Sequence, residues 1–456
     1  MLPRLLLIPL LLAPLSLDVQ ASVRHDLNTP GLAATLDGAP FPDTVVNVMQ
    51  KLAQRANPQA TKAEVVQALV DDRLLGAYAR QQYSVAELME DNKVGYHPEM
   101  QLQQSLVSAL QAAFGPQLSA AVKAEKNGNL TGVLTQQHEP TAADWDAVLG
   151  KPKMLLEYAL DDKGRAAAAK VVVFAYRFDS KTRGQVTLRD IYDAQNVQGR
   201  NQLHARDTGF AMAQARQLLE QRYVLHWAEY RSPLGRDGYA VFRRAIEDRL
   251  LRDGWMALIG VSSDIHDDTE NLKRLAAAVT TEEVHSYYEK HRDEFRRVEK
   301  VKARHIRLPD EAAASAAYAR LQKGEDFAAV ATAVSQAADA AQGGDMGWLL
   351  HGQKQASWLE SLAFVQPAGV VSKPFRSPGR PGDNPAWEIL KVEERVEGFQ
   401  PEDSTEVRYV ASQAIARQKA LQEYRGTLDK LRAAADLRLH PSLSPMARQP
   451  AKGSGA

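Results

Sequence analysis

The chain has 456 residues, and its 56 lysine and arginine side chains are balanced by 56 aspartates and glutamates. This neutral balance gives no electrostatic reason to expect nucleic acid or an anionic membrane surface as a partner. The absence of cysteine excludes disulfides, a thiolate nucleophile, a cysteine-ligated metal and a lipid-modified cysteine. Length and composition, with 45% hydrophobic and 25% charged residues, are typical of a globular protein with two or three domains.

The first predicted element is a cleavable export signal in residues 1–21. One positive charge at Arg4 precedes an apolar run from Leu5 to Leu17, and Val19-Gln20-Ala21 has side-chain sizes that a signal peptidase accepts. The alternative is an uncleaved anchor, but the run is short for a bilayer span and contains two prolines. We therefore expect cleavage after Ala21, a periplasmic location and no integral membrane span in the mature chain.

Residues 22–298 are predicted to form a mainly helical domain. The segment Lys62 to Gln82 places its apolar residues on one helical stripe, and Thr61 with Glu64 has the spacing of a capping box. Similar patterns predict three further helices: Pro98 to Phe114, ended by Gly115-Pro116, Phe210 to Tyr230, and Ala240 to Leu258.

A β-hairpin is predicted within this helical region. Met154 to Leu160 and Lys170 to Phe178 are rich in strand-forming residues, and Asp161-Asp162-Lys163-Gly164 lies near the expected turn. We therefore expect these two segments to pair as neighbouring strands.

Two strings in the helical region resemble each other. Val70-Asp71-Asp72-Arg73-Leu74-Leu75 and Ile246-Glu247-Asp248-Arg249-Leu250-Leu251 both fall in amphipathic helices. We expect their leucines to be buried and their charged residues to be exposed. The likeness indicates either a duplicated helical unit or only the pattern that any amphipathic helix produces.

Residues 299–397 are predicted to form a small α+β domain. Val301 to Leu308 alternates apolar and polar residues, as a half-buried strand does, and His305 lies near its end. The order of elements predicts a small antiparallel sheet covered by helices. The later elements are helices over Ala312 to Leu321 and Asp326 to Val334, a turn at Gly343 to Trp348, and a strand over Trp387 to Val392.

Helices are also predicted on both sides of this domain. Thr280 has a capping-box partner in Glu283 at the start of a helix that leads toward Phe295. A long helix with a charged face is expected over Ser404 to Leu437. The tail beyond it is rich in glycine, serine, proline and lysine, so residues 441–456 are predicted to be disordered.

Five strings in the α+β domain resemble sequence blocks of the parvulin family of peptidyl-prolyl cis–trans isomerases. They are ARHI, KGEDFAAVATAVS, GGDMGW, AFVQPAGVVSKPF and WEILKVEER, and they follow the family's order with near-family spacing. A single block would be weak, because Gly-Gly-Asp turns are common. Five in register identify residues 299–397 as a parvulin-type domain, which implies an α+β parvulin fold and isomerase activity.

The flanking segments resemble those of SurA-like periplasmic foldase chaperones. Leu36-Asp37-Gly38 and the helix ending in Asp72-Arg73-Leu74-Leu75 resemble their N-terminal chaperone domain, and Thr280 to Phe295 resembles their linker helix. The helix in residues 398–440 resembles the C-terminal helix that packs back onto the N-terminal domain. The resemblance implies that the partners are unfolded or proline-containing exported polypeptides.

The resemblance also implies a site, because the family surrounds the prolyl bond with two histidines, a cysteine or aspartate, and an apolar cup. His305 falls on the first histidine and Glu388 on the second. The cysteine or aspartate position falls near Ala337, and Asp339 is the nearest carboxylate. The implied catalytic residues are therefore His305, Asp339 and Glu388. A pairing of His305 with the carboxylate of Glu388 would raise the pKa of the histidine.

The implied substrate-binding residues form the cup. Met346 replaces the leucine of the family's GGDLG block, and Trp358 and Phe364 fall on aromatic positions. Lys354 falls where the family has a methionine, and a lysine in an apolar cup needs water or a carboxylate nearby. Asp339 or Glu388 is the candidate partner.

Two functions stay open at this point. One is a foldase enzyme with isomerase activity, weakened by the altered site. The other is a non-catalytic chaperone in which the parvulin fold only binds chains and His305 is structural. Neither needs a cofactor or a metal: the other ten histidines show no ligand spacing, and no G-x-S-x-G string supports a hydrolase.

Overall fold

The structure is a computed structural model, and it describes residues 23–89, 98–150, 158–262, 269–352, 357–378 and 386–443. The chain divides into two compact units. Unit 1 joins the residues up to Leu272 to those from Lys419 onward, and unit 2 is Lys273–Gln418. The predicted signal in residues 1–21, the residue Lys354 and most of the predicted tail lie outside the described residues.

Unit 1 is mainly helical and also contains two small antiparallel sheets. The strand orders are β10-β1-β2, where β10 is Leu437–Leu439, and β3-β4-β5. Its elements up to residue 272, with labels in chain order, are β1 (Leu32–Leu36), β2 (Ala39–Pro42), α1 (Asp43–Ala56), α2 (Lys62–Gln82), α3 (Val85–Met89), α4 (Pro98–Lys123), β3 (Leu134–Gln137), α5 (Ala142–Leu149), α6 (Asp162–Ala168), β4 (Val172–Arg177), β5 (Arg183–Thr187), α7 (Leu188–Asp193), α8 (Val197–His204), α9 (Thr208–Tyr230), α10 (Gly235–Leu258) and the start of α11 (Glu270–Ala277).

Unit 2 is an α+β unit built on one antiparallel sheet with the order β7-β6-β9-β8. Its elements after α11 are α12 (Thr281–Lys290), β6 (Arg296–Leu308), α13 (Glu311–Gln322), α14 (Phe327–Val334), β7 (Asp345–Leu350), α15 (Trp358–Ala363), β8 (Phe375–Arg376) and β9 (Trp387–Phe399). Helix α16 (Thr405–Ala434) runs from unit 2 into unit 1, where strand β10 (Leu437–Leu439) follows. This architecture confirms the predicted α+β class with small antiparallel sheets and helical regions.

The two predicted capping boxes are confirmed. The hydroxyl of Thr61 accepts the N–H of Glu64, and the Glu64 carboxylate accepts the N–H of Thr61. Thr280 and Glu283 make the same reciprocal bonds at the start of α12. Each box satisfies two N–H groups that a helix start otherwise leaves without a partner.

The predicted end of the helix at Gly115-Pro116 is wrong, because the backbone there kinks and continues. Helical structure extends to Lys123, and only Phe114 leaves the helical region, with φ −127° and ψ 19°. Pro116 lies just after this kink, where a proline fits because the first turn of a helical segment needs no N–H donor.

The predicted hairpin is displaced along the chain. Asp161, expected near the turn, caps helix α6 by accepting the N–H of Gly164 at 2.7 Å. The observed hairpin is β4 with β5, and Asp179 stabilises its turn by accepting the N–H groups of Lys181 and Thr182. The expected first strand falls partly on residues 151–157, outside the described residues. An aspartate suits a helix cap and a turn equally well, which is why the pattern misled.

The expectation that both charged strings are exposed is wrong for their second aspartates. Asp72 on α2 and Asp248 on α10 are buried, with 0% and 1% exposure. Each faces the arginine that follows the other: Arg73 bonds to Asp248, and Nε of Arg249 lies 3.3 Å from Asp72. The two strings thus form reciprocal ion pairs between two helices far apart in sequence.

Further arginines complete this buried network within unit 1. Arg252 also bonds to Asp72, and Nε of Arg244 lies 2.8 Å from Asp248. Helices α2 and α10 approach closely because residue 76 is glycine: a Cβ there would lie 2.8 Å from the carbonyl oxygen of Asp248. Two fully desolvated carboxylates therefore depend on arginines contributed largely by the opposite helix.

Unit 1 also includes the C-terminal part of the chain. Tyr424 packs against Trp255, with ring centroids 5.8 Å apart, and Arg432 bonds to Asp71 through both carboxylate oxygens. Strand β10 then pairs with β1. The first residues of the predicted disordered tail, Pro441–Leu443, form a short 3-10 turn in which Leu443 is buried.

In unit 2, the two faces of the sheet have separate apolar clusters. Helices α13 and α14 cover one face, where Ile306 and Ile389 are buried. The other face packs against α15 through Val301, Leu390 and Leu359. Strands β6 and β9 are longer than predicted and pair along their length, from Arg296 opposite Phe399 to Leu308 opposite Trp387. Within the described ranges, no helix has the length and apolar character needed to cross a bilayer.

The reciprocal ion pairs predict a large effect from removing one partner. In Arg73→Met, the buried carboxylate of Asp248 keeps only Arg244, and we expect the free energy of unfolding to fall by about 3 kcal/mol. Adding Asp248→Leu is expected to restore most of the loss, since no buried charge is then left unpaired. The measurement is urea unfolding followed by helical circular dichroism.

The control is Arg24→Met, which removes an ion pair to Asp436 whose side chains are 51% and 50% exposed. Its expected effect is below about 1 kcal/mol. Equal losses in Arg73→Met and Arg24→Met would contradict a special role for the buried network.

Candidate active site

The candidate site is built around His305, which lies on the central strand β6. Side chains alternate along a strand, so His305 shares its face with Val301 and Ala303, which belong to the apolar cluster beneath α15. The histidine side chain is 13% exposed. It is therefore largely enclosed by the fold and keeps a small solvent-accessible part.

Each ring nitrogen of His305 faces a carboxylate. Nδ1 lies 3.0 Å from Oε2 of Glu388, and Nε2 lies 3.0 Å from Oδ2 of Asp339. The structure thus brings together the three residues named as catalytic from the sequence, including the His305–Glu388 pair. A neutral imidazole has one donor, whereas two ionised carboxylates need two. The arrangement is satisfied when His305 is an imidazolium.

Burial alone lowers the pKa of His305, but the hydrogen bond to Glu388 and the negative charges of Glu388 and Asp339 outweigh it. The pKa of His305 therefore lies above its usual value of 6.5. This is the direction expected for a histidine that gains carboxylate partners in a folded structure.

Glu388 is held by the sheet itself. It lies on β9 opposite Arg307 of β6, and it is only 2% exposed. Nε of Arg307 is 3.9 Å from its second carboxylate oxygen. A buried carboxylate must be paired, and His305 is its hydrogen-bonding partner here.

Asp339 is carried by the loop between α14 and β7. The loop is attached to the sheet by Gly344, whose carbonyl accepts the backbone N–H of His305 at 2.9 Å. Gly344 has φ +70°, and a Cβ there would lie 2.0 Å from the carbonyl oxygen of His305. Only glycine fits this close approach, which explains the Gly-Gly-Asp string in physical terms.

The predicted cup residues gather in one apolar cluster. Met346, Trp358 and Phe364 all pack against the buried cluster on the face that His305 shares. Phe375 belongs to the same set, and its ring meets that of Trp358 edge-on at 5.8 Å. The site therefore combines a charged group with an adjoining apolar surface on one side of the sheet.

A bulge in β7 places Met346. Residues Gly347 and Asp345 pair with consecutive residues of β6, so Met346 is the extra residue. Asp345 accepts the N–H of Gly347 at 2.8 Å, and Gly347 has φ +70°, a conformation that glycine adopts without strain. The bulge lets Met346 join the same apolar cluster as Leu349.

Two residues at the site were missed from the sequence. Phe375 ends the AFVQPAGVVSKPF block, and its place in that block was the available signal. Arg304 precedes His305 in ARHI and contacts the loop that carries Asp339.

Lys354 lies outside the described residues, and the two carboxylates considered as its partners both face His305. Among the described residues, no cluster of three or more histidines and carboxylates is arranged to hold a metal.

Comparison with known proteins supports the resemblance of this part of the chain. Residues 279–408 match the family described as "PPIC-type PPIASE domain". The foldase protein PrsA of Caldanaerobacter subterraneus subsp. tengcongensis is 42% identical over 100 residues, which cover 22% of this chain and 31% of that protein. The chaperone SurA of Hahella chejuensis is 35% identical over 155 residues, covering 31% of this chain and 33% of the relative.

The chain thus carries a PPIC-type domain and matches about a third of the length of these curated relatives. Among solved structures, the peptidylprolyl isomerase PrsA from Bacillus anthracis is 21% identical. That comparison covers 42% of this chain and 72% of the other, with a TM-score of 0.20. A SurA-like chaperone of Campylobacter jejuni is 16% identical, covering 49% and 81%, with a TM-score of 0.21.

The raised pKa of His305 predicts a definite pH dependence of stability. Because the folded-state pKa lies above the unfolded value of 6.5, the contribution is fully present below that value and is lost as pH rises through the folded-state pKa. We expect the difference in free energy of unfolding between the parent and His305→Gln to be larger at about pH 6 than at about pH 9.

Urea titrations of both proteins at the two pH values measure this difference. Glu388→Gln is a companion variant, since it keeps the histidine but removes the carboxylate at Nδ1, and it should weaken the same pH dependence. A difference that is larger at the higher pH would contradict the raised pKa.

Proposed function

We propose that this protein is a folding factor for exported polypeptides, and that its PPIC-type domain isomerises X-Pro peptide bonds at His305. The domain match and the similarity to foldase PrsA and chaperone SurA proteins support a folding role outside the cytoplasm. The finer assignment, isomerase catalysis, is supported by the geometry of the site.

The reaction itself asks little chemistry of a protein. Rotation about the prolyl bond is slow because amide resonance sets a barrier of about 18–20 kcal/mol, and the uncatalysed process takes tens of seconds or more. No covalent bond has to form. An enzyme needs an apolar surface that grips the proline ring and a polar group that favours the twisted amide over the planar one.

The observation that carries the proposal is the position of His305 relative to the apolar cluster. The imidazole of His305, held between two carboxylates that raise its pKa, shares one sheet face with Met346 and Phe364. Fixed charges in a largely enclosed site stabilise a changing charge distribution without reorganising. As the bond twists, electron density returns to the prolyl nitrogen, and the fixed positive charge of a protonated His305 stabilises that change.

The alternative function is that of a chaperone whose PPIC-type domain only binds chains. One observation favours it: both carboxylates at the site are engaged by His305, and Glu388 stands where the parvulin family has a histidine. A structural imidazolium would then hold the loop to the sheet without acting on substrate. Both functions involve unfolded or proline-containing exported polypeptides as partners.

We further propose the chain organisation that these functions require. A signal in residues 1–21 directs export to the periplasm, residues 22–298 form a chaperone-like domain, and residues 299–397 form the isomerase domain. Residues 398–440 complete the chaperone-like domain from the C-terminal side. The exposed apolar side chains of Val365 and Val370, 73% and 50% exposed, are surface that an unfolded chain can cover.

The proposed catalysis predicts that His305→Gln lowers kcat/KM on a proline tetrapeptide at least about tenfold, or ~1.4 kcal/mol of transition-state stabilisation. Asp339→Asn should have a smaller effect in the same direction, because the imidazolium loses one of its two carboxylates. A protease-coupled assay of cis–trans isomerisation measures both.

Glu325→Gln is the matched control, since it removes an exposed carboxylate paired with Arg320 in the same unit and should leave the rate unchanged. Suppression of aggregation of an unfolded client is measured in parallel. A parent without isomerase activity that still suppresses aggregation would favour the chaperone alternative, and an equal rate in His305→Gln would remove His305 from the mechanism.

A further inference from the structure

Arg304, the residue before the site histidine, contacts four other residues. Its Nε donates to Oε1 of Glu393 at 2.8 Å, and its Nη1 donates to the carbonyl oxygens of Gln342 and Gly343 at 3.2 and 3.3 Å. Its Nη2 lies 3.5 Å from Oδ2 of Asp345. The arginine side chain is only 18% exposed. Two of these four partners, Gln342 and Gly343, belong to the loop between α14 and β7, and Asp345 is the first residue of β7.

The loop that Arg304 contacts is also the loop that carries Asp339. Gly344 accepts the backbone N–H of His305 and donates its own N–H to the carbonyl of Asp339, both at 2.9 Å. The Asp339 carboxylate then reaches Nε2 of His305. Arg304 therefore holds the loop on both sides of the glycine by which the loop is attached to His305.

The same arginine reaches the segment that positions the apolar half of the site. Asp345 faces Nη2 of Arg304 and also accepts the N–H of Gly347, which closes the bulge. The bulge in turn lets Met346 join the apolar cluster. The guanidinium of Arg304 thus contacts the loop that carries Asp339 and also the start of the bulge that places Met346.

We propose that Arg304 is a positioning residue for the isomerase site: its bonds to the loop hold Asp339 against His305. This inference deepens the proposed function and rests on it. The planar guanidinium suits the task because it presents several donors in a fixed fork, whereas a lysine has a single ammonium. A role confined to the sheet would involve only Glu393 on β9 and Asp345 on β7, and not the two loop carbonyls.

The test measures the pKa of His305 in the full chain by NMR titration of the histidine ring. The ring signal is assigned by comparison with His305→Gln. Arg304→Met keeps the length of the side chain and removes every donor. Loss of a nearby cation would by itself raise the pKa of His305, whereas release of Asp339 lowers it. We expect a decrease comparable to that caused by Asp339→Asn, together with a lower kcat/KM.

A double variant examines the route of the effect. If Arg304 acts through Asp339, then adding Arg304→Met to Asp339→Asn should lower the pKa of His305 no further, since only the loss of the cation, which raises the pKa, then remains. The control Arg320→Met removes an exposed, ion-paired arginine on α13 and should leave the pKa unchanged. Arg304→Lys, which keeps the charge without the fork, should also lower the pKa, and it serves if Arg304→Met does not fold.

The outcomes separate the two proposals. A pKa that rises or stays constant in folded Arg304 variants, or decreases that add in the double variant, would overturn the positioning role. A decrease in pKa in a protein whose parent shows no isomerase activity would keep the positioning role of Arg304 and reject the proposed catalysis.

Discussion

The site in unit 2 depends on the pairing of His305 with a carboxylate at each ring nitrogen. Two ionised carboxylates are both satisfied when the ring carries two protons. His305 lies on the central strand, Glu388 on the neighbouring strand, and Asp339 on a loop that approaches from outside the sheet. The imidazolium offsets part of the penalty of burying Glu388 and attaches the loop. Gly344 bonds that loop to the strand of the histidine, and Arg304 contacts the loop beside this glycine.

Unit 1 also buries carboxylates, but it pairs them with arginines and not with a histidine. Asp72 and Asp248 are buried more completely than the site residues, and arginines, which stay charged at any physiological pH, neutralise them. Burial raises the pKa of both aspartates and the arginines oppose that shift, so the pairs hold two helices in one register. The site uses a histidine instead, the one side chain whose ordinary pKa falls near physiological pH. The ionic network of unit 1 is thus suited to a fixed scaffold, and that of unit 2 to a site whose charge can change.

Much of the fold was predictable because it depends on local patterns. The capping boxes at Thr61 and Thr280, the long helices and the order of strands in the α+β domain follow from spacing within a few residues. The kink at Phe114 and the displaced hairpin were missed because local patterns do not decide these structures. The residues involved, such as Asp161, suit more than one local structure, and packing against distant parts of the chain decides between them.

The site was predictable in identity but not in detail. Alignment of the parvulin blocks pointed to His305, Asp339 and Glu388. The two carboxylates lie 34 and 83 residues from the histidine, so no spacing rule in the sequence reveals that both bond to its ring. Arg304 escaped notice because its contacts to the loop are bonds to backbone carbonyls, which leave no trace in the sequence. The buried state of Asp72 was hidden similarly, since its arginine partners lie 177 and 180 residues away.

The protonation of His305 is tested most directly by neutron diffraction from crystals at pH 6.5, the ordinary pKa of a histidine. Because the pKa of His305 is raised above 6.5, the double carboxylate pairing predicts hydrogen on both Nδ1 and Nε2 in more than half of the molecules, and none on the facing oxygens of Glu388 and Asp339. A neutral ring with one bare nitrogen, or a proton residing on either carboxylate, would contradict the imidazolium on which both the proposed catalysis and the positioning role of Arg304 depend.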